Sequence, residues 1–348
     1  MAKSTTDKRD LILDFIRKNP SVSSREIHDG LADELAYATL KRALQNLLKE
    51  NLLDSTGKGK ATRYHISPAY ELLLPVDLDE YFKKEIDDRV IKRSFNHSLI
   101  SLLGNVNVFT AEELDRLNTL QQQYTEKSSM LSKSEYDKEL ERLAIDLSWK
   151  SSQIEGNTYS LLETERLLKD KQTAAGKTRD EATMLLNHKE ALDFIIENPH
   201  HISPLSIARI EEIHSILMKE LNVERNIRRR GVGITGTNYR PLDNEFQIRE
   251  AMEAMCNLLN GLDNVFSKAL LALVLISYIQ AFTDGNKRTA RIICNAILIN
   301  ANHCPLSFRT VDPIIYKKAM LLFYEQNNIT AIKKIFIDQF GFAVEGYF

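Results

Sequence analysis

The apolar residues of the first seventy positions follow helical periods and then change pattern. One apolar face at period 3.6 predicts a helix that Pro20 ends, and a second, short helix follows the serine pair at residues 23–24. Residues 37–50 carry a third apolar face of the same period. Residues 52–67 instead contain two short extended pieces around a Gly-Lys-Gly turn. This last pattern predicts a β-hairpin after three helices.

Beyond this hairpin the apolar spacing is mostly helical and glycine is sparse, so we expect the rest of the chain to be largely α. Residues 72–150 are predicted to form helices with polar connections, one of them over residues 79–91. Residues 228–244 are an exception, because three glycines and a proline interrupt any helix there. We expect this segment to form a short hairpin between two helices.

Composition and charge limit the classes of function. With 46 basic against 48 acidic residues the formal net charge is −2, so any attraction to nucleic acid or to an anionic membrane must be local. The first ten residues contain no apolar segment of the signal-peptide type, and the longest apolar run, residues 269–279, is too short to cross a bilayer. Cys256, Cys294 and Cys304 form no CxxC pair, which favours buried reduced thiols. We expect a cytoplasmic protein with no membrane contact and no metal cage made only of protein ligands.

Residues 280–291, QAFTDGNKRTAR, follow a buried apolar helix and begin a second helix. Asp284, Gly285 and Asn286 form a tight turn at the N-terminus of that second helix. Free backbone N–H groups and the helix dipole both favour an anion at such a position. The sequence therefore predicts a phosphate site at this turn.

The first turn of the second helix carries the cations that such a site needs. Arg288 and Arg291 lie three residues apart on one face, beside Lys287, and guanidinium groups suit phosphate oxygens. Asp284 can hold Mg²⁺ against those phosphates, since Mg²⁺ takes few carboxylates and completes its shell with substrate oxygens and water. The alternative is an ordinary helix with a solvated cationic end. Cations in a first turn oppose the helix dipole, however, so we expect a negative group to compensate them.

Three helices followed by a basic hairpin resemble a winged helix-turn-helix domain, in which the third helix enters the major groove of DNA. The candidate phosphate contacts are basic residues of the third helix and the hairpin, Lys41, Arg42, Lys58, Lys60 and Arg63. Acidic residues dilute this face, namely Asp29, Asp33, Glu34 and Glu50. Since the fold has no obligatory ligand, protein contact or dimerisation stays open beside DNA binding.

Residues 280–291 also resemble the signature of Fic-domain proteins, H-P-F-x-D/E-G-N-G-R-x-x-R. The matching residues are Phe282, Asp284, Gly285, Asn286, Arg288 and Arg291. The resemblance extends over roughly residues 110–310. It implies a mainly α protein with a Fic-type helical core and a small β-hairpin flap, beside the N-terminal winged-helix domain. The expected divisions are a winged-helix domain, a helical linker, a Fic domain and a C-terminal helical extension, at residues 1–70, 71–110, 111–310 and 311–348.

This family resemblance implies transfer of AMP from ATP to a hydroxyl side chain of a target protein, with Mg²⁺ as cofactor. Asp284 would then hold Mg²⁺. The nucleotide phosphates would contact the turn and the helix start, at Gly285, Asn286, Lys287, Arg288 and Arg291. The flap would dock an extended segment of the target protein at Ile234, Thr235, Gly236 and Thr237. Many relatives dimerise, which makes a homodimer a further expectation.

Two positions depart from the family pattern. Gln280 stands where the family has the histidine that acts as general base, and a carboxamide has no usable proton affinity near neutral pH. Transfer should therefore be weak or absent, and we do not expect His188, His214 or His303 to replace the base. Lys287 stands at the second glycine, as in Doc-like members, which leaves phosphate transfer open as the reaction. The other alternative is a regulator that binds nucleotide and acts through the winged helix.

The segment SSQIEGN matches an inhibitory pattern of the same family, S/T-x-x-x-E-G/N, on a helix expected near residues 145–156. The residues that carry the match are Ser151, Glu155 and Gly156. We expect Glu155 to pair with Arg291, which occupies the arginine that the γ-phosphate needs and repels the triphosphate. The alternative is a helix that ends at Gly156 with a surface glutamate, an arrangement that the helix dipole opposes.

Overall fold

The computed structural model describes residues 5–31 and 34–348, so Asp33 lies outside the described part of the chain. Over these residues the fold is mainly α, with one two-stranded antiparallel sheet near the N-terminus. The predicted mainly α fold class, with a small winged-helix domain at the N-terminus, is confirmed.

The N-terminal elements are three helices and a hairpin, as the sequence predicts. They are α1 (Thr5–Lys18), α2 (Ser24–Gly30), α3 (Tyr37–Lys49), β1 (Leu53–Thr56) and β2 (Arg63–Ile66). Ser23 begins α2 through a capping box with Glu26, in which each side chain bonds the other residue's backbone N–H. Val22 pairs with Tyr64 beside the hairpin. Buried leucine and isoleucine side chains of all three helices fill the space beneath the sheet.

The linker that follows contains short helices and extended backbone. Its elements are α4 (Tyr70–Leu73), α5 (Leu78–Phe82), a 3₁₀ turn (Ile86–Asp88) and α6 (Leu99–Gly104). The prediction of one helix over residues 79–91 is wrong, because α5 ends at Phe82. The buried side chain of Arg89 pairs with buried Glu325 at 3.0 Å, and the Lys92 N–H donates to the Glu325 carbonyl at 2.8 Å. Extended backbone satisfies these tertiary contacts, which override local helix propensity.

Ten further α-helices form the rest of the described chain. They are α7 (Ala111–Met130), α8 (Lys133–Ile154), α9 (Leu161–Asp170), α10 (Arg179–Glu197), α11 (Ile207–Leu217), α12 (Glu245–Gly261), α13 (Val265–Ile279), α14 (Asn286–Asn300), α15 (Pro313–Gln326) and α16 (Thr330–Gly346). All three cysteines are buried free thiols, as predicted. None of the helices in the described ranges combines the length and the apolar character that a membrane span requires.

The centre of the fold is the helix pair α13 and α14. α13 is apolar on every side and almost wholly buried, which is the pattern of a central core helix. It packs extensively against α14, and α8, α10 and α11 contact α14 in turn. α15 contacts both α8 and α13. The short turn that joins α13 to α14 is therefore held among several helices.

The short hairpin predicted within residues 228–244 does not form. This segment is an extended loop without strand pairing of its own, and Gly236 adopts φ +90°. Its backbone is bonded to the linker instead. The Arg240 N–H donates to the Arg93 carbonyl at 2.9 Å, and the Arg89 side chain donates to the Gly236 carbonyl at 2.8 Å. These bonds replace the pairing that a hairpin would make within the loop, and we call residues 231–243 the flap loop.

Candidate functional site

The turn between α13 and α14 is fixed by its backbone and by one asparagine. Gln280 ends α13 in the left-handed conformation with φ 53°, and Gly285 has φ 78° directly before α14. This positive φ favours glycine, and a Cβ atom at Gly285 would also lie 2.5 Å from Met218 Cε, so the Met218 side chain would have to move. The Asn286 side chain accepts from the Phe282 N–H at 2.9 Å and donates to Gln280 Oε1 at 3.1 Å. The turn therefore presents the N-terminus of α14 in one defined shape.

A cavity of about 470 Å³ opens at this turn, within the size range of small-molecule sites. Its walls come from the turn, the end of α8, the flap loop and α15. The predicted site residues that line it include Glu155, Thr235, Asp284, Gly285, Asn286 and Lys287. Residues far apart in the sequence, which the sequence analysis assigned to one site, thus share one cavity.

Arg288 and Arg291 are both buried and both carry hydrogen-bond donors that the described residues leave without partners. Arg288 Nη2 donates to Asp284 Oδ2 at 3.1 Å, but its Nε and Nη1 are among these open donors. Arg291 Nη1 forms no hydrogen bond of regular geometry, and the buried Tyr316 side chain interacts with the same guanidinium. Burial lowers the pKa of Arg288, yet a guanidinium remains charged in proteins. Because buried cations with open donors are costly, this arrangement favours an anionic ligand.

Glu155 follows the last residue of α8 and faces the cations of α14. Its Oε1 accepts from Arg291 Nη2 at 2.9 Å, and its Oε2 accepts from Lys287 Nζ at 3.2 Å. Burial opposes the charge on Glu155, but Arg291 and Lys287 outweigh this effect and lower its pKa to about 2. The ion pair expected between Glu155 and Arg291 is present, and the second ion pair, with Lys287, was not predicted from the sequence.

Ser151 lies one turn before Glu155 and holds the other side of Arg291. Its Oγ accepts from Arg291 Nε at 2.8 Å and lies 2.7 Å from His188 Nε2. Burial, reinforced by the charges of Arg291 and Arg288, lowers the pKa of His188 well below its usual value. His188 is therefore neutral, and its Nε2 shares a hydrogen bond with the Ser151 hydroxyl. Gly156, with φ +102°, directs the chain away from the end of α8.

Gln280 is held by hydrogen bonds at both ends of its carboxamide. Its Nε2 donates to the Ser277 carbonyl at 2.6 Å, and its Oε1 accepts from Asn286.

His214 stacks on Phe282 with ring centroids 3.7 Å apart, and its Nε2 lies 3.0 Å from the Asp284 carbonyl oxygen.

The remaining histidine that was considered as a base is also held by local contacts. His303 Nδ1 lies 2.8 Å from the Ala301 carbonyl oxygen, and its ring packs edge-on against Phe266. Neither this residue nor His188 or His214 lines the cavity. The position that the family resemblance assigns to the base is thus occupied by an amide, and among the described residues no histidine lines the cavity.

The candidate DNA contacts lie on α3 and on the hairpin, at Lys41, Arg42, Lys58, Lys60 and Arg63. Lys58 and Lys60 are exposed between the two strands, where a winged-helix hairpin meets the DNA backbone. Arg63 forms an ion pair with Glu26 of α2. The two hairpin lysines are therefore better placed for a phosphate than Arg63.

Helix α15 contributes cavity residues that the sequence did not predict. Lys317, Met320, Leu321 and Tyr324 line the cavity, although residues 311–348 were expected only as a helical extension. Their spacing of three and four residues indicates a single helix face. That signal predicts burial but does not identify the cavity on which the face is packed.

Two protein families match parts of the chain. Residues 204–298, which include the turn, match the Fic/DOC family. Residues 5–123 match the penicillinase repressor family, over the three N-terminal helices, the hairpin, the linker and the first part of α7. The two matches correspond to the α-helical core and to the winged-helix part of the fold.

Similar curated proteins include adenylyltransferases of animals. The protein adenylyltransferase Fic of Nematostella vectensis is 30% identical over 167 residues, 47% of this chain and 39% of that protein. Protein adenylyltransferase fic-1 of Caenorhabditis briggsae is 27% identical over 161 residues, 44% of this chain and 31% of that protein. The chain thus spans less than half the length of these curated relatives.

Solved structures show the same fold at lower identity. Fic-1 of C. elegans aligns with a TM-score of 0.59 and 19% identity over 68% of this chain and 72% of that one. A Fic-domain signalling protein of Bacteroides thetaiotaomicron aligns with a TM-score of 0.56 and 18% identity over 66% of this chain and 96% of that one. At these identities the likeness shows the fold alone.

Proposed function

We propose, from the match of residues 204–298 to the Fic/DOC family, that this chain binds ATP and Mg²⁺ at the turn before α14 and is related in function to the protein adenylyltransferases. The observation that carries the proposal is the pair of buried arginines with open donors at the N-terminus of a helix. A second feature supports it, since the cavity beside them has the volume of a small-molecule site.

The charged residues of the turn would contact different parts of a bound Mg-triphosphate. Arg288 and Arg291 donate to phosphate oxygens, together with the backbone N–H of Asn286, whereas the Gly285 N–H donates to Asp284 Oδ1 at 2.6 Å. The Asp284 side chain is 63% exposed, and its oxygens, which accept from the Gly285 N–H and Arg288 Nη2, would hold Mg²⁺ through their remaining lone pairs. Bound Mg²⁺ would neutralise part of the phosphate charge.

Glu155 makes this site autoinhibited. Its carboxylate occupies the Nη2 of Arg291 and the Nζ of Lys287, which are two of the donors that phosphate oxygens require. It also places a negative charge on the wall of the cavity. Productive binding of a triphosphate therefore requires the displacement or removal of Glu155.

Transfer of AMP to a target hydroxyl is weak or absent in the native chain under this proposal. The hydroxyl must lose a proton as it attacks the α-phosphate, and the Gln280 amide accepts none near neutral pH. A second candidate function is that of a nucleotide-responsive regulator. Contacts between the linker and the flap loop favour this candidate. Arg89 of the linker bonds the Gly236 carbonyl, and Asn238 donates to Asp87 at 2.9 Å.

An assay of label transfer from ATP to protein distinguishes these functions. It compares four proteins, namely wild type, Glu155→Gly, Gln280→His and the double variant. Labels at the α- and γ-phosphates distinguish AMP transfer from the phosphate transfer that Lys287 leaves open. We expect α-label to reach protein chiefly with the double variant. Binding of Mg-ATP by Glu155→Gly with no transfer by any of the four would favour the regulator. Failure of Glu155→Gly to bind Mg-ATP would reject the proposed site.

A further inference from the structure

Arg228 is a buried arginine that lies outside the residues assigned to the site above. It lies three residues before the flap loop, and the residue is 1% exposed. Its Nε donates to the Gln280 carbonyl at 2.6 Å, and its Nη1 donates to the Arg230 carbonyl at 2.6 Å. Its Nη2 donates to the Leu242 carbonyl. One guanidinium thus bonds three backbone carbonyls from two separate segments of the chain.

Both the flap loop and the turn contribute residues to the cavity wall. Arg230 directly precedes the flap loop and Leu242 lies near its end, whereas Gln280 begins the turn before α14. The backbone N–H of Arg228 also donates to the carbonyl of Ala281, the next residue of the turn, at 3.0 Å. Arg228 therefore connects both ends of the flap loop to the turn through its side chain and its backbone.

General stabilisation is a weak explanation for such a residue. Taking a guanidinium out of water is costly, and here the acceptors are neutral carbonyls rather than a carboxylate. The planar fork does, however, fix three acceptors at set distances and directions, which a flexible ammonium does not. The geometry is that of a clamp between two segments.

We propose that Arg228 is a positioning residue that holds the flap loop at a fixed distance from the turn before α14. Gly233, Ile234 and Thr235 of the flap loop line the same cavity as Gln280 and Asp284, so this distance sets the width of the cavity. The consequence for nucleotide binding rests on the function proposed above, but the connection between loop and turn does not.

Hydrogen exchange on the full chain tests the connection directly. The variants are Arg228→Met and Arg228→Lys, and the control is Arg229→Met, because the neighbouring Arg229 side chain is 82% exposed. We expect Arg228→Met to raise amide exchange in residues 231–243 and 280–285 by about tenfold or more, with a smaller rise for Arg228→Lys. Arg229→Met should leave both segments unchanged. The proposal would be overturned if amide exchange rose equally in the two segments and in the distant helices α12 and α16, or if it did not rise in the two segments.

If Arg228→Met does not fold, Arg228→Lys tests the connection between loop and turn, because a lysine keeps the charge but cannot hold three carbonyls in a plane. Mg-ATP affinity provides the second readout, with each variant placed in a Glu155→Gly background. We expect Arg228→Met to weaken binding about tenfold and Arg228→Lys to lie between it and the parent. Equal Mg-ATP affinities of the parent and both variants would overturn the role of Arg228 in shaping the cavity. If Glu155→Gly itself binds no Mg-ATP, the proposed function fails, while the exchange result still decides the role of Arg228.

Discussion

Replacement of Glu155 by glutamine removes the negative charge from the cavity and keeps nearly the same side-chain shape. In the native chain the pKa of Glu155 is lowered from 4.5 to about 2 by Arg291 and Lys287, although burial acts against the charged form. One pKa unit corresponds to about 1.4 kcal/mol, so the surroundings of Glu155, burial included, favour its charged form by a net of roughly 3 kcal/mol. A triphosphate that displaces Glu155 loses up to this free energy, which corresponds to about a hundredfold in affinity. We therefore expect Glu155→Gln to bind Mg-ATP about tenfold to a hundredfold more tightly than wild type.

Isothermal titration calorimetry with a non-hydrolysable ATP analogue and Mg²⁺ measures this change. The matched control is Glu141→Gln, which removes the same charge from an exposed position on the same helix, α8, and should leave the affinity unchanged. Without nucleotide, Glu155→Gln should lower the free energy of unfolding by about 3 kcal/mol, because Arg291 stays buried without its carboxylate. Equal affinities of wild type and Glu155→Gln for the analogue would refute the inhibitory role.

Four further predictions follow from the same structure. Replacement of Arg288 by methionine in a Glu155→Gly background should weaken Mg-ATP binding about a hundredfold, because charged donors are lost; unchanged calorimetric affinity would show that phosphate binds elsewhere. In the same background Asp284→Asn should make ATP affinity independent of Mg²⁺, whereas a persistent gain on adding Mg²⁺ would assign the metal to another ligand. The lowered pKa of Glu155 means that its contribution to folding is complete above pH 4.5 and is lost as the pH falls toward 2. Denaturant titrations should accordingly show a steeper acid loss of stability, by about 3 kcal/mol, in wild type than in Glu155→Gln, and parallel curves would contradict the pKa shift. The double variant Lys58→Gln, Lys60→Gln should bind duplex DNA more weakly than wild type. The slope of log K against log salt concentration should become shallower by about 1.8, and an unchanged slope would show that the hairpin does not contact DNA.

The parts of the site that depend on local sequence were predictable. The turn at 284–286 and the start of α14 follow from glycine, asparagine and the change from an apolar to an amphipathic helix. Contact between Glu155 and Arg291, which lie 136 positions apart, has no local signal, and it was expected because both motifs resemble one family. The family pattern thus supplied long-range information that periodicity cannot give.

Features that depend on the packing of distant segments were missed or wrong. Three glycines in residues 228–244 indicate a break in the helix, but they do not reveal that the linker takes the backbone bonds of a hairpin. The cavity face of α15 and the carbonyl contacts of Arg228 were missed for the same reason. A lysine at position 287 suggests a phosphate contact, whereas its observed partner is Glu155.

The most direct test of the central claim is a crystal structure of Glu155→Gly with ATP and Mg²⁺. We expect the triphosphate to lie against the N-terminus of α14, with its oxygens within hydrogen-bond distance of Arg288 and Arg291 and with Mg²⁺ on Asp284. A structure in which this cavity holds no nucleotide at saturating ATP, or in which ATP occupies another surface, would contradict the claim.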